Sequence, residues 1–440
     1  MGKSILIRGG RVIDPSQQID EITNVVVADG KIAAIGKRAS GGADELFDAS
    51  GLIVTPGLID MHVHLREPGQ EEKETIETGT AAAAAGGFTA VACMPNTDPP
   101  LHNDSEIEFV LRQAARHGHT RVYPIGTLTK DRRGEQLAEI GLMVRAGAVA
   151  FSDDGDGIAD AGVCLRAMRY VGMCGRLFIQ HCEERTLSRG GCMNAGLNAT
   201  RLGLPGLPAA AEEVMIERDI RLARDASVDY HVAHISTAGA VELLRRAKAD
   251  GGRVTTEVCP HHLLLTDDCC ASFDPNFKMA PPLRGKTDVA ACIEGVRDGT
   301  IDCLVTDHAP HEQQDKQHTF QDAPFGIIGL ETSLALFIRA LIEPKVIDWP
   351  RLVSAMSTRP AHLLGVPGGS LKVGTPADVT LIDPERDWTI DAAKMRSKSR
   401  NTPFDGWTVR AKVVATMVAG EFRYRAEAAP PGKRVATSVA

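Results

Sequence analysis

Histidines and aspartates form the pattern in this chain that could do chemistry. Nine of the fourteen histidines in 440 residues lie in or just after eight short, strand-like segments: His62, His64, His181, His231, His234, His261, His262, His308 and His311. Asp154 and Asp307 lie at the ends of the fourth and eighth segments. Neutral imidazoles and carboxylates are the ligands that zinc and similar divalent metals prefer. The pattern therefore predicts a metal centre.

The spacing of these residues strengthens the prediction. His62 and His64 are two residues apart in one strand-like segment, so both side chains point to the same face. His181, His234 and Asp307 belong to the fifth, sixth and eighth segments. The alternative is a set of interior histidines that only make hydrogen bonds, but nothing structural requires so many titratable groups in one place. We therefore expect one shared site.

The elements that must position these side chains alternate along the chain. The strand-like segments are TPGLIDMHVHL, GGFTAVACMP, TRVYPIGTLT, GAVAFSDD, GRLFIQHCEE, VDYHVAHIS, GRVTTEVCPHH and IDCLVTDHAP, with helical stretches between them. Eight such repeats predict an α/β fold, a (β/α)8 TIM barrel, over residues 56–365. In such a barrel the carboxyl-terminal strand ends carry the active site, which is where the histidines fall.

The two ends of the chain have a similar pattern of residues. Short β-branched runs, separated by glycine and Asp-Gly turns, occupy both 3–55 and 370–425 and are typical of hairpins. We therefore expect a small discontinuous β-domain built from residues 1–55 and 366–425. The last segment, 426–440, lacks periodicity and is expected to be disordered.

Composition excludes several classes of protein. The formal net charge of −8 gives no electrostatic reason for nucleic-acid or membrane binding, and an aromatic content of 4% argues against a base-stacking surface. No apolar run is long enough for a membrane helix or a secretory leader. None of the ten cysteines forms a CxxC pair, so we expect reduced thiols and a cytoplasmic location.

Eight motifs in order carry a family resemblance. The chain reads DMHVHLREPG, MPNT, FSDDG, HCE, HIST, CPHHL, PPLRG and TDHAPH. Together they resemble the amidohydrolase superfamily and, within it, the type I bacterial class of dihydroorotases, from about Ile5 to about Arg423. The resemblance implies reversible cyclisation of N-carbamoyl-L-aspartate to L-dihydroorotate with loss of water, a step of pyrimidine (UMP) synthesis.

The resemblance also implies a zinc centre of one or two ions per subunit. Its ligands would be His62, His64, Asp154, His181, His234 and Asp307. Asp154 would bridge two ions, and Asp307 would also act as the catalytic acid–base group. Many amidohydrolases use a carboxylated lysine as the bridge, but GAVAFSDDG contains no lysine. The neighbouring Asp153 should point away from the site by strand alternation.

Substrate contacts follow from the same resemblance, at His64, Arg66, Asn96, His311, Phe325 and Gly326. Arg66, Asn96 and His311 would hold the substrate's carboxylate, for which an arginine fork is well suited. One position departs from the family, since Ala280 stands where an asparagine usually binds substrate. The polar segment 312–322 is either a mobile lid or a solvated loop.

Two other functions compete with this interpretation. Hydantoinase, dihydropyrimidinase or allantoinase would share the barrel and metal site, but the missing fourth-strand lysine and Arg66 favour dihydroorotase. A non-catalytic dihydroorotase-like partner of aspartate transcarbamoylase is expected to have lost metal ligands, and here all six positions are intact. The resemblance implies a small-molecule substrate and a homodimer, and leaves a complex with aspartate transcarbamoylase open.

Overall fold

The computed structural model describes residues 4–39 and 43–427 and contains two large β-sheets. One sheet is a parallel barrel surrounded by helices, and the other combines strands from both ends of the chain. The fold predicted from the sequence is therefore confirmed. Most of the segment predicted to be a disordered tail, from residue 428 onward, lies outside the described residues.

Eighteen strands occur in the described ranges. They are β1 (Ile5–Asp14), β2 (Ile19–Ala28), β3 (Lys31–Ile35), β4 (Glu45–Asp48), β5 (Ile53–Pro56), β6 (Leu58–Val63), β7 (Phe88–Cys93), β8 (Arg121–Gly126), β9 (Ala150–Phe151), β10 (Leu177–Gln180), β11 (Met193–Asn194), β12 (Gly206–Leu207), β13 (Tyr230–Val232), β14 (Val254–Val258), β15 (Cys303–Leu304), β16 (Val379–Thr389), β17 (Thr408–Val418) and β18 (Glu421–Arg425). Each of the eight segments predicted to form the barrel contains one barrel strand.

Thirteen α-helices accompany these strands within the same ranges. They are α1 (Ile76–Gly86), α2 (Asp104–His117), α3 (Ile140–Ala146), α4 (Ala161–Met173), α5 (Arg185–Ser188), α6 (Leu197–Leu202), α7 (Ala209–Ala226), α8 (Ala238–Ala249), α9 (His261–Leu264), α10 (Lys286–Asp298), α11 (Ser333–Phe337), α12 (Trp349–Val353) and α13 (Arg359–Leu364). Buried residues on α7, such as Ala211, Met215 and Ile216, recur at helical spacing, which directs one face to the barrel. None of the described helices is long and apolar enough to cross a membrane.

The barrel strands follow the order β6, β7, β8, β9, β10, β13, β14, β15, and each neighbouring pair is parallel. Parallel neighbours bring all eight carboxyl ends to one rim. Large side chains of the barrel strands, among them Phe151, Phe178 and Tyr230, are fully buried in one apolar cluster with the surrounding helices. The barrel therefore acts as a rigid support for the residues that follow its strands.

A buried carboxylate closes the barrel between its first and last strands. The Asp60 side chain accepts the backbone N–H of His62 at 3.0 Å and that of Thr306 at 3.2 Å. Nearby, the His64 N–H donates to the carbonyl of His308 at 2.9 Å. Burial raises the pKa of Asp60 to about 7. The Asp60 carboxylate thus supplies hydrogen-bond acceptors where β6 and β15 form few backbone–backbone hydrogen bonds with each other.

The second sheet joins the two ends of the chain. Its order is β18, β17, β16, β5, β1, β2, β3, with β4 paired to β1. The β5 strand pairs with β16 and is followed, after Gly57, by barrel strand β6. The hydroxyls of Thr380 and Thr416 donate to the carbonyls of Gly87 and Ala84, each at 2.6 Å. These bonds attach the sheet to the end of α1.

The cysteines agree with the expectation of reduced thiols. All ten lie in the described ranges, and none forms a disulfide. Eight of them are buried.

Replacing Asp60 should destabilise the fold. We expect Asp60→Ala to lower the free energy of unfolding by about 1–3 kcal/mol, because two buried N–H groups lose their acceptor. Asp60→Asn, which keeps one acceptor oxygen, should lose less. Urea unfolding of the metal-free protein measures both. As a control, Asp229→Ala removes an exposed ion pair with Arg253 and should cost less than about 1 kcal/mol; an equal loss in the two alanine variants would contradict this role.

Candidate active site

A cavity of about 680 Å³ opens at the carboxyl-terminal rim of the barrel. All but one of the residues predicted to form the site line it: His64, Arg66, Asn96, Asp154, His181, His234, Asp307, His311, Phe325 and Gly326. The exception is His62, which is fully buried and contacts several of them. Ala280 also lines the cavity. The fold therefore brings the predicted residues together.

Two groups of potential ligand atoms share His62. One is His62, His64 and Asp307, and the other is His62, Asp154 and His234, with the donor atoms of each group within 4.8 Å of one another. The Nε2 atom of His62 lies 3.4 Å from Asp154 Oδ1 and 3.5 Å from Asp307 Oδ1. The Nε2 atom of His64 is 3.0 Å from Asp307 Oδ1. This arrangement is compatible with two neighbouring ions.

His181 completes the second group. Its Nδ1 atom lies 2.9 Å from Nε2 of His234 and 3.8 Å from Oδ1 of Asp154. Burial would raise the pKa of Asp154, but the imidazoles of His62, His64 and His181 hold it well below its usual value. Asp154 is therefore a charged carboxylate at neutral pH, as a bridging ligand must be.

Three buried atoms in this cluster lack a hydrogen-bond partner within the described part of the chain: Nε2 of His62, Nδ1 of His234 and Oδ1 of Asp154. Leaving buried polar atoms unpaired is costly, and two of them, Nε2 of His62 and Oδ1 of Asp154, face each other at 3.4 Å. Imidazole nitrogens and carboxylate oxygens at this spacing fit a divalent ion such as zinc.

Glu257 fixes the orientation of His62. Its Oε1 atom lies 2.6 Å from Nδ1 of His62, and its Oε2 atom lies 3.1 Å from Nε2 of His231. Burial opposes its charge, yet the two imidazoles lower its pKa to about 2. A charged carboxylate can only accept, so Nδ1 of His62 donates to it and Nε2 is the ring nitrogen that faces the cluster.

Two further histidines are oriented in the same way. Nδ1 of His64 lies 2.7 Å from Oδ1 of Asn96, and Nε2 of His181 lies 3.5 Å from Oε2 of Glu183. In each case an acceptor takes the proton of one ring nitrogen, and the other ring nitrogen faces the cluster. Asn96 thus contacts both the cavity and a candidate ligand.

Neighbouring aspartates at the end of β9 point in opposite directions. Asp153 accepts the backbone N–H groups of Leu128 and Thr129 at 2.8 and 3.0 Å, away from the cluster. Burial raises its pKa to about 6. The structure thus separates a supporting carboxylate, Asp153, from one in the cluster, Asp154, although both lie beyond the end of the two-residue strand β9.

Three residues of the site have unusual backbone conformations. Arg66, His234 and Asp307 have φ values of 62°, 25° and 48°, in the left-handed region that non-glycine residues rarely adopt. Such strain persists only where the surrounding structure enforces it, and it concentrates at functional sites. Each of the three follows a barrel strand closely, so the strain aims these side chains at the rim.

Arg66 is the positively charged residue of the substrate wall, the side of the cavity lined by Arg66, Ala309, His311, Phe325 and Gly326. It is buried, and Nε donates to the carbonyl of Pro310 at 3.1 Å. Its terminal nitrogens have no acceptor in the described ranges and remain free for an anion. His311 instead lies with Nε2 2.7 Å from the carbonyl of Phe325, and burial together with Arg66 lowers its pKa to about 2. Of these two residues, Arg66 is therefore the one with free donors for a carboxylate.

Asn401 holds the substrate wall together. Its Oδ1 atom accepts the His311 N–H at 3.1 Å, and its Nδ2 atom donates to the carbonyls of Ala309 and Gly326 at 3.0 and 3.1 Å. The side chain therefore sets the distance between two loops that carry predicted substrate contacts. Asn401 comes from the segment that precedes β17, far from the barrel strands in sequence.

The polar segment 312–322 is anchored beside the cavity. Lys316 is buried, and its Nζ atom donates to the carbonyls of Pro275 and Pro324 at 3.0 and 2.8 Å. Burial and the nearby Lys278 lower the pKa of Lys316 to about 7. Pro324 lines the cavity, so this lysine connects the segment to the substrate wall.

Sequence reasoning missed three residues that support the site. Two of them could have been found from the sequence. Glu257 is a carboxylate within a strand-like segment rich in β-branched residues, and Glu183 lies two residues after His181 in another strand-like segment. The sequence contains no signal for Asn401, because only folding of the chain brings this residue to the barrel.

Comparisons with known proteins agree with this geometry. A family model described as dihydro-orotase-like matches residues 51–240. The chain is 50% identical over 416 residues to a dihydroorotase of Pelotomaculum thermopropionicum, which covers 94% of this chain and 97% of that protein. It is 48% identical over 424 residues to a dihydroorotase of Geobacter metallireducens, an alignment that covers 96% of this chain and 100% of that protein.

Solved structures of related enzymes have the same fold. An L-hydantoinase (dihydropyrimidinase) of Arthrobacter aurescens superposes with a TM-score of 0.86 at 28% identity, over 96% of both chains. A dihydropyrimidinase of Brevibacillus agri gives a TM-score of 0.82 at 24% identity, over 96% of this chain and 95% of that one. The second likeness concerns the fold alone.

Loss of the Glu257 carboxylate should weaken metal binding. In Glu257→Gln an amide replaces the carboxylate that accepts the Nδ1 proton of His62, and partners of this kind typically contribute roughly 10–100-fold to metal affinity. Competition with a chromophoric chelator measures the zinc affinity. Asp219→Asn is the matched control, because Asp219 is also buried but contacts Gln180 and Arg218 instead of the cluster. Equal affinities in the two variants would contradict the orienting role.

Proposed function

The chain belongs to the dihydroorotase family, and from this premise we propose how its residues perform the family's reaction. It is a cyclic amidohydrolase that interconverts N-carbamoyl-L-aspartate and L-dihydroorotate with loss or gain of water. The observation that carries the residue assignments is the convergence of four histidines and two aspartates on one rim, beside the buried guanidinium of Arg66.

We assign the metal ligands to His62, His64, Asp154, His181, His234 and Asp307. We propose that these residues would hold two zinc ions, with Asp154 as the carboxylate that both would share, because His62 and Asp154 each have a buried polar atom without a hydrogen-bond partner in the described chain. A bound divalent ion lowers the pKa of water toward ~7 and polarises the amide carbonyl. The chain's own residues must then move the proton and hold the substrate.

Asp307 is the proposed acid–base group. Burial would raise its pKa, but His62 and His64 hold it far below the usual value, so the carboxylate is charged at neutral pH. In ring opening it would accept a proton from the attacking water and give that proton to the departing ring nitrogen. Ring closure uses the same steps in reverse. The strained backbone at Asp307 and its 3.0 Å contact with His64 support a fixed position for this transfer.

The substrate's free carboxylate is assigned to Arg66. Its terminal nitrogens can form a bidentate pair with a carboxylate, and its burial excludes competing water. Because the protein carries a net charge of −8, a local cation is needed to attract an anionic substrate. Asn96, the backbone near Phe325 and Gly326, and the ring of His311 would contact the rest of the molecule.

The residues favour dihydroorotase chemistry over that of the hydantoinases. The end of β9 carries Asp154 and no lysine, and a buried arginine faces the cavity. The relatives with about half of their residues identical are dihydroorotases. From the resemblance we further propose a homodimer, with aspartate transcarbamoylase as a candidate partner.

Substrate turnover tests the assigned function. Purified protein should convert carbamoyl-aspartate and dihydroorotate, with little or no turnover of hydantoin or allantoin. Asp307→Asn should lower kcat by roughly 10²–10⁴-fold, the usual contribution of general acid–base catalysis. Asp153→Asn, a buried neighbour outside the cluster, is the control and should retain most activity once circular dichroism shows it to be folded. Turnover of hydantoin without dihydroorotate, or a near-normal rate in Asp307→Asn, would contradict the proposal.

Arg66→Lys should mainly weaken substrate binding. Lysine keeps the charge but loses the planar fork, and a hydrogen bond to a charged group contributes about 1.5–3 kcal/mol, so KM should rise roughly tenfold or more. The rate constant kcat should change less. Arg189→Lys alters another arginine that lines the cavity and should leave KM within a few-fold. An unchanged KM in Arg66→Lys would show that the carboxylate is held elsewhere.

A further inference from the structure

A second group of potential metal ligands lies outside the six residues assigned above. Cys259, His261 and His262 each offer one donor atom, and these three atoms lie within 4.8 Å of one another. All three residues are buried. We propose that this Cys–His–His cluster is an additional metal site, selective for a thiophilic ion such as Zn²⁺, and separate from the catalytic centre.

Unpartnered atoms provide the independent evidence. Nδ1 of His261 and Nδ1 of His262 are buried and have no hydrogen-bond partner in the ranges the structure describes. Both residues are only 2% exposed, and Cys259 is completely buried. Two orphaned imidazole nitrogens beside a thiol are costly in a protein interior, where polar atoms are almost always paired. A metal ion would satisfy both of them.

The tautomer of His262 is already set for binding. Its Nε2 atom lies 3.0 Å from the carbonyl of Pro281, which can only accept, so Nε2 carries the proton. The lone pair is therefore on the orphaned Nδ1 atom. A backbone carbonyl that fixes a histidine in this way is a common partner of metal ligands. Burial lowers the pKa of His262 to about 4, so the ring is neutral at physiological pH, as a ligand must be.

The local sequence explains why the donors converge. β14 ends at Val258, and the chain turns at Cys259–Pro260 into the short helix α9. The His262 N–H donates to the carbonyl of Cys259 at 3.2 Å, which closes the turn. The centroids of the two imidazole rings are 4.4 Å apart. Four consecutive residues, Cys-Pro-His-His, thus place one thiol and two imidazoles in contact range.

The chemistry of the donors defines the ion. Burial raises the pKa of the Cys259 thiol well above its usual value, so the thiol is protonated until an ion binds. Binding of M²⁺ forms an M–S bond and breaks the S–H bond, and the proton leaves to solvent. A thiolate with two imidazoles suits Zn²⁺, and also Co²⁺ or Cd²⁺ as probes. The catalytic ligands contain no sulfur, so a metal–thiolate bond distinguishes the two sites.

A spectroscopic titration tests the proposal without relying on turnover. Full-length protein is freed of metal by a chelator and titrated with Co²⁺, while the ultraviolet thiolate-to-metal charge-transfer band is recorded. We expect the final amplitude of the band in wild-type protein to correspond to one thiolate-bound Co²⁺ per chain, in addition to the Co²⁺ held by the catalytic ligands. Cys259→Ser should remove the band and one equivalent of bound metal. Cys303→Ser is the matched control, since Cys303 is also a buried thiol on a barrel strand, and it should keep both.

Several outcomes would overturn the proposal. They are the absence of the band in wild-type protein, its appearance only at millimolar Co²⁺, and its persistence in Cys259→Ser. If Cys259→Ser does not fold, His262→Gln serves instead and should weaken Co²⁺ binding at the thiolate site by roughly tenfold or more, the usual effect of losing one ligand contact. Unchanged Co²⁺ affinity in that variant would also contradict the assignment.

Discussion

The structure depends on burying several carboxylates and imidazoles together at one end of an apolar barrel. A single buried charge is expensive, whereas opposite charges in contact compensate one another. Asp154 and Asp307 are kept ionised by the surrounding histidines, and Glu257 is kept ionised by His62 and His231. A few buried nitrogen and oxygen atoms of the network have no hydrogen-bond partner in the described chain, and two of them, in His62 and Asp154, lie side by side. The charges of the cluster are thus largely compensated by the protein itself, and a bound cation would pair with the polar atoms that remain without a partner.

This compensation requires accurate positions, and the barrel provides them in two ways. Parallel strands bring the ligand-bearing ends to one rim, and close packing prevents the side chains from relaxing apart. Strained backbone at Arg66, His234 and Asp307 then turns individual side chains toward the cavity. Hydrogen bonds from the histidines to Glu257, Glu183 and Asn96 fix the orientation of the imidazole rings. Positions and protonation states are therefore determined before any substrate arrives.

Much of the fold and the site could be predicted from local sequence patterns. Each barrel strand lay in a segment identified by its apolar and β-branched residues, and the two-residue spacing of His62 and His64 and the alternation of Asp153 and Asp154 followed from strand geometry. Interactions between distant parts of the chain could not be predicted. Asp60 is an acceptor for Thr306, and Asn401 joins two loops, but neither stands in a pattern that reports such a partner. The strand boundaries were also too long, since β9 and β15 have two residues each.

The pairing of β5 with β16 has a consequence for biosynthesis. Strands β1 to β5 leave the ribosome first, but β16, which lies beside β5 in the sheet, is made only after the whole barrel. Contacts between residues so far apart in sequence form late. Asn401, which organises the substrate wall, belongs to the same late segment. A nascent chain can thus contain every residue of the metal cluster and still lack a finished substrate wall, so activity is acquired only when synthesis nears the carboxyl end.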